Sequence, residues 1–117
     1  MDANELKART KRFALQVMTL IDRLPNTVKG RVVAHQLMKA ATSVGANYRA
    51  ACRGRSQAEF VSKLSIVLEE SDECCYWLEL IMEGGLIPAE EVKDLYQEAD
   101  EITAIMTASH KTAQKNR

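Results

Sequence analysis

Apolar residues recur along this chain with the period of an α-helix, in four segments separated by residues that end helices. The first segment has one apolar face, with spacings of 7, 4, 3 and 4 residues: Leu6, Phe13, Val17, Leu20 and Leu24. Such spacing predicts an amphipathic helix. Leu24-Pro25 ends it, since proline disfavours helix in the residue before it. The same reasoning predicts helices over about residues 4–23, 27–53, 56–83 and 88–111.

Capping residues support these boundaries. Thr27 suits the N-cap of the second helix, and Ser56-Gln57-Ala58-Glu59 is a capping box directly ahead of an apolar run. Gly84-Gly85 stops the third helix, and Pro88 fits the first turn of a fourth. Four helices joined by short loops favour an all-α, up-down-up-down antiparallel bundle that occupies residues 1–117 as a single domain.

The sequence lacks the combinations of residues that are typical of active sites and metal centres. His35 and His110 lie beside no plausible nucleophile and acid, and Cys52, Cys74 and Cys75 form no CxxC pair. An odd number of cysteines suits a reducing compartment, and the charged N-terminus does not resemble a signal peptide. We therefore expect a non-catalytic cytoplasmic protein with no metal or cofactor and no membrane association.

The third segment is apolar on more than one face. Outside its main stripe lie further apolar residues: Val61, Ile66, Tyr76, Trp77, Leu80 and Ile81. A helix of a small bundle needs one buried face, so the excess suggests contact with another copy. Cover by the fourth helix and the loops is the alternative. Trp77, Leu80 and Ile81 are the candidates for an oligomer interface.

A line of polar residues runs beside the apolar stripe of the second helix. Gln36, Ser43 and Asn47 are spaced by 7 and 4 residues, and antiparallel packing places Glu70 of the third helix near them. We expect a buried amide–carboxylate network that fixes the register of the two helices. A small-molecule or nucleotide pocket is the alternative.

Charge is divided unequally along a chain whose formal net charge is zero. Residues 1–55 hold 11 basic and 3 acidic residues, a net charge of +8, and residues 56–117 hold 5 and 13, a net charge of −8. Many of the cations fall on one face of the second helix, and the first helix adds Lys7, Arg9, Lys11, Arg12 and Arg23. The candidates for nucleic-acid binding are Arg9, Arg12, Arg31, Lys39, Arg49, Arg53 and Arg55. Pairing of this basic face with an acidic face, within the bundle or between subunits, is the alternative.

Several short sequence motifs in the middle of the chain together resemble those of a known protein family. They are Leu24-Pro25, the run AATSVGANYRAA at residues 40–51, Ser56-x-x-Glu59-Phe60, and Tyr76-Trp77-Leu78. Over about residues 24–82 the chain resembles the four-helix-bundle family of the 23S ribosomal RNA intervening-sequence proteins. That family is similar to the accessory variability protein of diversity-generating retroelements.

The resemblance implies a homo-oligomer, typically a pentameric ring, with no enzymatic activity. For the retroelement relatives it implies binding of a reverse transcriptase and of nucleic acid through a basic surface. The strongly basic relatives carry a net positive charge, whereas this chain is neutral overall. The partners that the resemblance implies are RNA, a reverse transcriptase and further copies of the chain. Because this chain is neutral, a ring that acts through protein contacts alone is the competing expectation.

Overall fold

Four helices lie antiparallel in a computed structural model that describes residues 1–116 and measures 46 × 21 × 20 Å. They are α1 (Ala3–Ile21), α2 (Val28–Cys52), α3 (Gln57–Glu83) and α4 (Lys93–Lys115). Each helix packs against the next, and α1 also contacts α4, which closes the bundle. Helices α1 and α3 are therefore diagonal to each other. This architecture confirms the all-α four-helix fold.

Side-chain caps begin the first three helices. Asp2, Thr27 and Ser56 each accept a hydrogen bond from the main-chain N–H three residues later, at 2.8, 3.1 and 3.1 Å. The capping box at Ser56 is incomplete, because the Glu59 carboxylate accepts from the N–H of Arg55 at 3.4 Å. The caps satisfy donors that have no partner within the helix, so the expected starts at Thr27 and Ser56 are confirmed.

The fourth helix differs from its predicted limits at both ends. Pro88 lies outside it, and a short 3₁₀ turn (Ala89–Glu91) precedes its start at Lys93. Ile87 and Val92 both enter the core, so the chain between them tightens into that turn. At the other end α4 continues past residue 111, because Ala113 is buried and its carbonyl accepts a hydrogen bond from Gln57 Nε2 at 3.1 Å. Tertiary packing stabilises turns that a polar sequence alone would not hold.

The core lies along the bundle axis and takes side chains from all four helices. Phe13, Leu37, Leu78 and Met106 are among its fully buried members. Ile81 is fully buried too, so its assignment to an outer surface of α3 was wrong. Helix α3 packs against both α2 and α4, so more than one of its faces is covered, which the sequence pattern of α3 alone does not reveal.

Candidate functional site

A groove between α1 and α2 gathers most of the candidate cations. Its rim carries Lys7, Lys11 and Arg12 from α1 and Arg49 and Arg53 from α2. Its volume is about 780 Å³, and its other lining residues, none of them acidic or aromatic, are Ala8, Ala14, Leu15, Thr42, Gly45 and Ala46. We call this feature the α1–α2 groove. Five cations around small side chains give a concave surface with positive potential, which attracts anions.

Close approach of the two helices forms the floor of this groove. An ideal Cβ on Gly45 would lie 3.4 Å from Thr10 Oγ1, so the helix backbones come near each other at this level. Thr10 is fully buried, and its hydroxyl donates to the carbonyl oxygen of Leu6 at 2.9 Å. The Thr10 hydroxyl is therefore satisfied within α1 and needs no partner on α2, which is compatible with the close approach of the two helices.

Sequence reasoning chose Arg12, Arg49 and Arg53 as candidates but passed over Lys7 and Lys11. The omission has a geometric cause, since the face of α1 that turns toward α2 depends on the packing of the two helices. The signal was present, because Lys7 and Lys11 are one turn apart and share a face. The groove thus unites two clusters of cations that lie on separate helices.

The other candidates on α2 and beyond it lie outside the groove. Arg31 and Lys39 are exposed, and Arg31 donates from Nη1 to Asn26 Oδ1 at 3.0 Å. The side chain of Arg55 is exposed just past the end of α2. These three cations extend the positive surface without adding to the concave part.

Arg9 has a different role from the one expected. Its Nε donates to Glu98 Oε2 and its Nη2 to Glu98 Oε1, both at 2.7 Å, and Nη2 also reaches Glu101 Oε1 at 3.1 Å. The hydrogen bonds to Glu98 raise the pKa of Arg9 above its usual value. A bidentate pair of this kind is geometrically demanding. Arg9 therefore joins α1 to α4 and is not part of the α1–α2 groove.

Pairing within the bundle involves a minority of the basic residues. Of the 11 in residues 1–55, Arg9 and Arg23 contact carboxylates of α4 and of the turn before it, with Arg23 on Glu91. Within residues 1–116 none of the five groove cations forms an ion pair with a carboxylate within 4.0 Å. Their charge is thus available to an external partner.

The polar set on α2 does not form the expected network. Within the described chain, the hydrogen bond inside the set runs from Asn47 Nδ2 to the main-chain oxygen of Ser43 at 2.9 Å, and none joins Gln36 or Asn47 to Glu70. A half-exposed amide side chain can bond to the main-chain carbonyl one turn earlier in its own helix. Burial, and then repulsion from Glu73, raises the pKa of Glu70. None of the four residues lines the α1–α2 groove.

Exposed large apolar side chains mark further surfaces, and two of these lie on α1 and α3. Leu15 and Met18 are 56% and 40% exposed on α1, and Tyr76 and Leu80 are 55% and 36% exposed on α3. We call these pairs the α1 patch and the α3 patch. Trp77, beside the α3 patch, is half-buried and donates from Nε1 to Glu73 Oε1 at 3.2 Å. Of the three interface candidates, Leu80 and Trp77 thus remain at the surface.

Side chains capable of other chemistry are not brought together. In the part of the chain that the structure describes, no group of three or more His, Cys, Asp or Glu side chains is placed to hold a metal ion. Burial raises the pKa of the Cys74 thiol, so it stays protonated and unreactive at neutral pH. Across residues 1–116, no helix is long and apolar enough to cross a membrane.

Comparison with known proteins identifies relatives of the whole bundle. A family model described as 23S rRNA-intervening sequence protein matches residues 3–108. A crystal structure described as a protein of unknown function from the S23 ribosomal protein family, from Bacteroides thetaiotaomicron, is 33% identical. It superposes with a TM-score of 0.86, and the match covers 95% of this chain and 99% of that one. Comparison with curated proteins gives no match.

Proposed function

The chain belongs to the 23S rRNA-intervening sequence protein family, and from that premise and the α1–α2 groove we propose that it is a non-catalytic, homo-oligomeric, RNA-associated protein. The observation that carries the proposal is the set of five groove cations with no carboxylate partner. Phosphate contacts supply most of the affinity of sequence-independent binding. A concave row of Lys and Arg is suited to them.

The spacing of the cations supports contact with a nucleic-acid backbone. Lys7 and Lys11 are one helical turn apart on one rim, and Arg49 and Arg53 are one turn apart on the other, a separation of about 6 Å along each axis. The lining includes no aromatic side chain on which a base could stack. The groove therefore favours readout of backbone and shape over readout of base sequence, as is usual for double-stranded RNA.

The test is an electrophoretic titration against a structured RNA at two salt concentrations. We expect tight binding at low salt that weakens steeply as salt rises, because bound counterions are released from the RNA. Arg49→Gln/Arg53→Gln should weaken binding and reduce the slope of log K against log salt by about 2, one for each lost contact. Weak binding at low salt, or affinity that does not depend on salt, would contradict the proposal.

A matched control separates the groove from bulk charge. Lys111→Gln/Lys115→Gln removes the same charge from exposed positions near the end of α4, outside the groove. We expect its salt slope to stay close to that of the parent chain. Equal losses in the two double variants would mean that RNA responds to overall charge and that the groove is not the site.

A ring that acts through protein contacts alone is the second candidate, and the exposed α1 and α3 patches favour it. The reverse transcriptase implied by the resemblance would be a protein partner of this kind. The RNA titration separates the two candidates. A chain that assembles, yet binds no structured RNA at low salt, would have the second function.

A further inference from the structure

We infer that the α3 patch is the centre of a docking surface for a cationic polypeptide segment of another protein, in which Arg or Lys alternates with apolar residues. The inference goes beyond the proposed function, because the α1–α2 groove includes no residue of α3. It begins from Tyr76 and Leu80, which are 55% and 36% exposed and lie one turn apart on one face. A continuous exposed apolar surface is typical of contact sites.

Acidic residues surround this patch on its own helix. On a helix surface the neighbours of a residue are those three and four positions away. The neighbours of the two patch residues are Asp72, Glu73, Glu79 and Glu83, together with Trp77 and Gly84. No Lys or Arg occurs between residues 64 and 92. The α3 patch therefore has a margin that attracts cations and repels the phosphates of nucleic acid.

The exposed acids of this margin have charges that a partner can use. Asp72 and Glu83 are exposed, and neither forms an ion pair within residues 1–116. Asp100 extends the negative surface onto α4, where it is exposed as well. Burial raises the pKa of the Cys75 thiol, and the charges of Asp100 and Asp72 raise it further, so both carboxylates lie near this thiol. The acidic surface is thus shared by two helices.

Tyr76 and Trp77 form an ordered aromatic pair among these acids. Their rings meet edge to face with centroids 5.2 Å apart, and Trp77 Nε1 donates to Glu73 Oε1 at 3.2 Å. A cationic side chain can stack on an exposed aromatic ring and pair with a neighbouring carboxylate at the same time. Because the Trp77 ring is already held in place, little conformational entropy is lost when a partner binds.

The order of these groups along α3 determines the chemistry of the partner. Asp72 and Glu83 are 11 residues apart on the helix, about 16 Å along its axis, and the apolar patch lies between them. A segment that covers this surface needs apolar side chains in its middle and cations toward both ends. The bundle therefore has one surface for an anionic partner, between α1 and α2, and one for a cationic partner, on α3.

The test titrates the chain with a synthetic peptide in which Arg alternates with Leu, and fluorescence anisotropy of the labelled peptide gives the affinity. Trp77 is the only tryptophan of the chain and lies beside the patch, so its emission reports binding at this site. We expect saturable binding that changes the Trp77 emission and weakens as salt rises. A peptide with Glu in place of each Arg should not bind.

Two double variants separate the apolar contribution from the charged one. Tyr76→Ser/Leu80→Ser should weaken peptide binding about tenfold or more, as is usual when central anchors are removed. Asp72→Asn/Glu83→Gln should weaken binding and also reduce its dependence on salt. Tyr76→Phe keeps the ring and should bind like the parent chain. Circular dichroism verifies that each variant is folded.

Matched controls make the same changes on α1, which is diagonal to α3. Leu15→Ser/Met18→Ser removes the exposed apolar pair of the α1 patch, and Glu5→Gln/Asp22→Asn removes two exposed acids. Both variants should bind the peptide as the parent chain does. Losses equal to those of the α3 variants would mean that the peptide responds to overall composition, which would overturn the inference.

Three further results would also overturn it. They are the absence of binding to the parent chain at low salt, equal binding of the Glu-containing peptide, and unchanged peptide binding in Tyr76→Ser/Leu80→Ser. If that last variant also sediments at a lower mass than the parent chain, the α3 patch is a contact between copies. The RNA titration is independent of these outcomes, because the α3 variants should bind RNA as the parent chain does.

Discussion

Two glycines on the same helix are expected to respond in opposite ways to the same substitution. An ideal Cβ on Gly30 would lie 2.0 Å from the carbonyl oxygen of Pro25 and 3.2 Å from its ring. Since real Cβ contacts do not fall below 3.0 Å, the α1–α2 loop must move by about 1 Å in Gly30→Ala. Overpacking of this kind costs about 1–3 kcal/mol, whereas alanine gains up to about 1 kcal/mol of helix propensity.

We expect Gly30→Ala to lose about 2 kcal/mol, because the atom it strikes is main chain next to a rigid proline ring and not the end of a flexible side chain. On Gly45 the new Cβ would lie 3.4–3.7 Å from Thr10 and Lys11, an ordinary contact. Gly45→Ala should therefore keep the gain of up to about 1 kcal/mol. The two variants should differ by about 3 kcal/mol.

Urea unfolding followed by circular dichroism measures this difference. With an m-value of about 1.5 kcal/mol/M the midpoints should be separated by about 2 M, Gly45→Ala above the parent chain and Gly30→Ala below it. All three chains are compared at one protein concentration, because assembly stabilises the folded state by mass action. Equal shifts in the same direction would refute the reasoning, since helix propensity would then outweigh the close approach of Pro25 to α2.

Three further predictions concern single side chains. A double-mutant cycle of Arg9→Ala and Glu98→Ala, measured by urea unfolding, should give a coupling free energy of about 1 kcal/mol that decreases as salt rises. A value near zero would mean that the ion pair does not stabilise the contact between α1 and α4. The raised pKa of Glu70 means that the folded protein disfavours the charged carboxylate, so this charge lowers stability at any pH above that pKa. Glu70→Gln removes the charge and should therefore raise the urea midpoint at neutral pH. The difference should vanish well below pH 4.5, the ordinary pKa of that carboxyl; a gain that persists there would refute it. In thermal unfolding Ile81→Ala should cost about 2–5 kcal/mol and Leu80→Ala less than about 1 kcal/mol; equal costs would place both at the surface or both in the core.

Helix number and most helix limits were readable from the sequence because both depend on local chemistry. Period, proline and side-chain caps act within one or two turns, so Thr27 and Ser56 could be placed without knowing the fold. The start of α4 could not, since it depends on Ile87 and Val92 entering a core that other helices build. The last turns of α4 were missed for the same reason, because Gln57 of another helix holds Ala113.

The candidate site was predictable as a charge pattern but not as a shape. Arg9 and Lys11 are two residues apart on α1 and have similar charge, yet a helix turns them about 200° from each other. One meets Glu98 on α4, and the other reaches the groove. The rotation of α1 about its own axis determines which of the two side chains faces α4 and which faces the groove. The rotation is part of the packing of α1 against α2, where Thr10 lies close to Gly45, and a count of charges contains no information about that packing.

A net charge of zero does not weaken the case for an anionic partner once the charges have positions. The five groove cations lie on α1 and α2, whereas Glu73 and Glu83 lie on α3 and form no ion pair within residues 1–116, in a bundle about 20 Å across. At physiological ionic strength exposed charges are screened beyond about 8 Å. In the proposed function a phosphate in the groove therefore meets the local positive potential and not the net charge of the whole chain. The proposed function therefore requires a basic surface on one face of the bundle and not a basic chain, and a neutral chain can present such a surface.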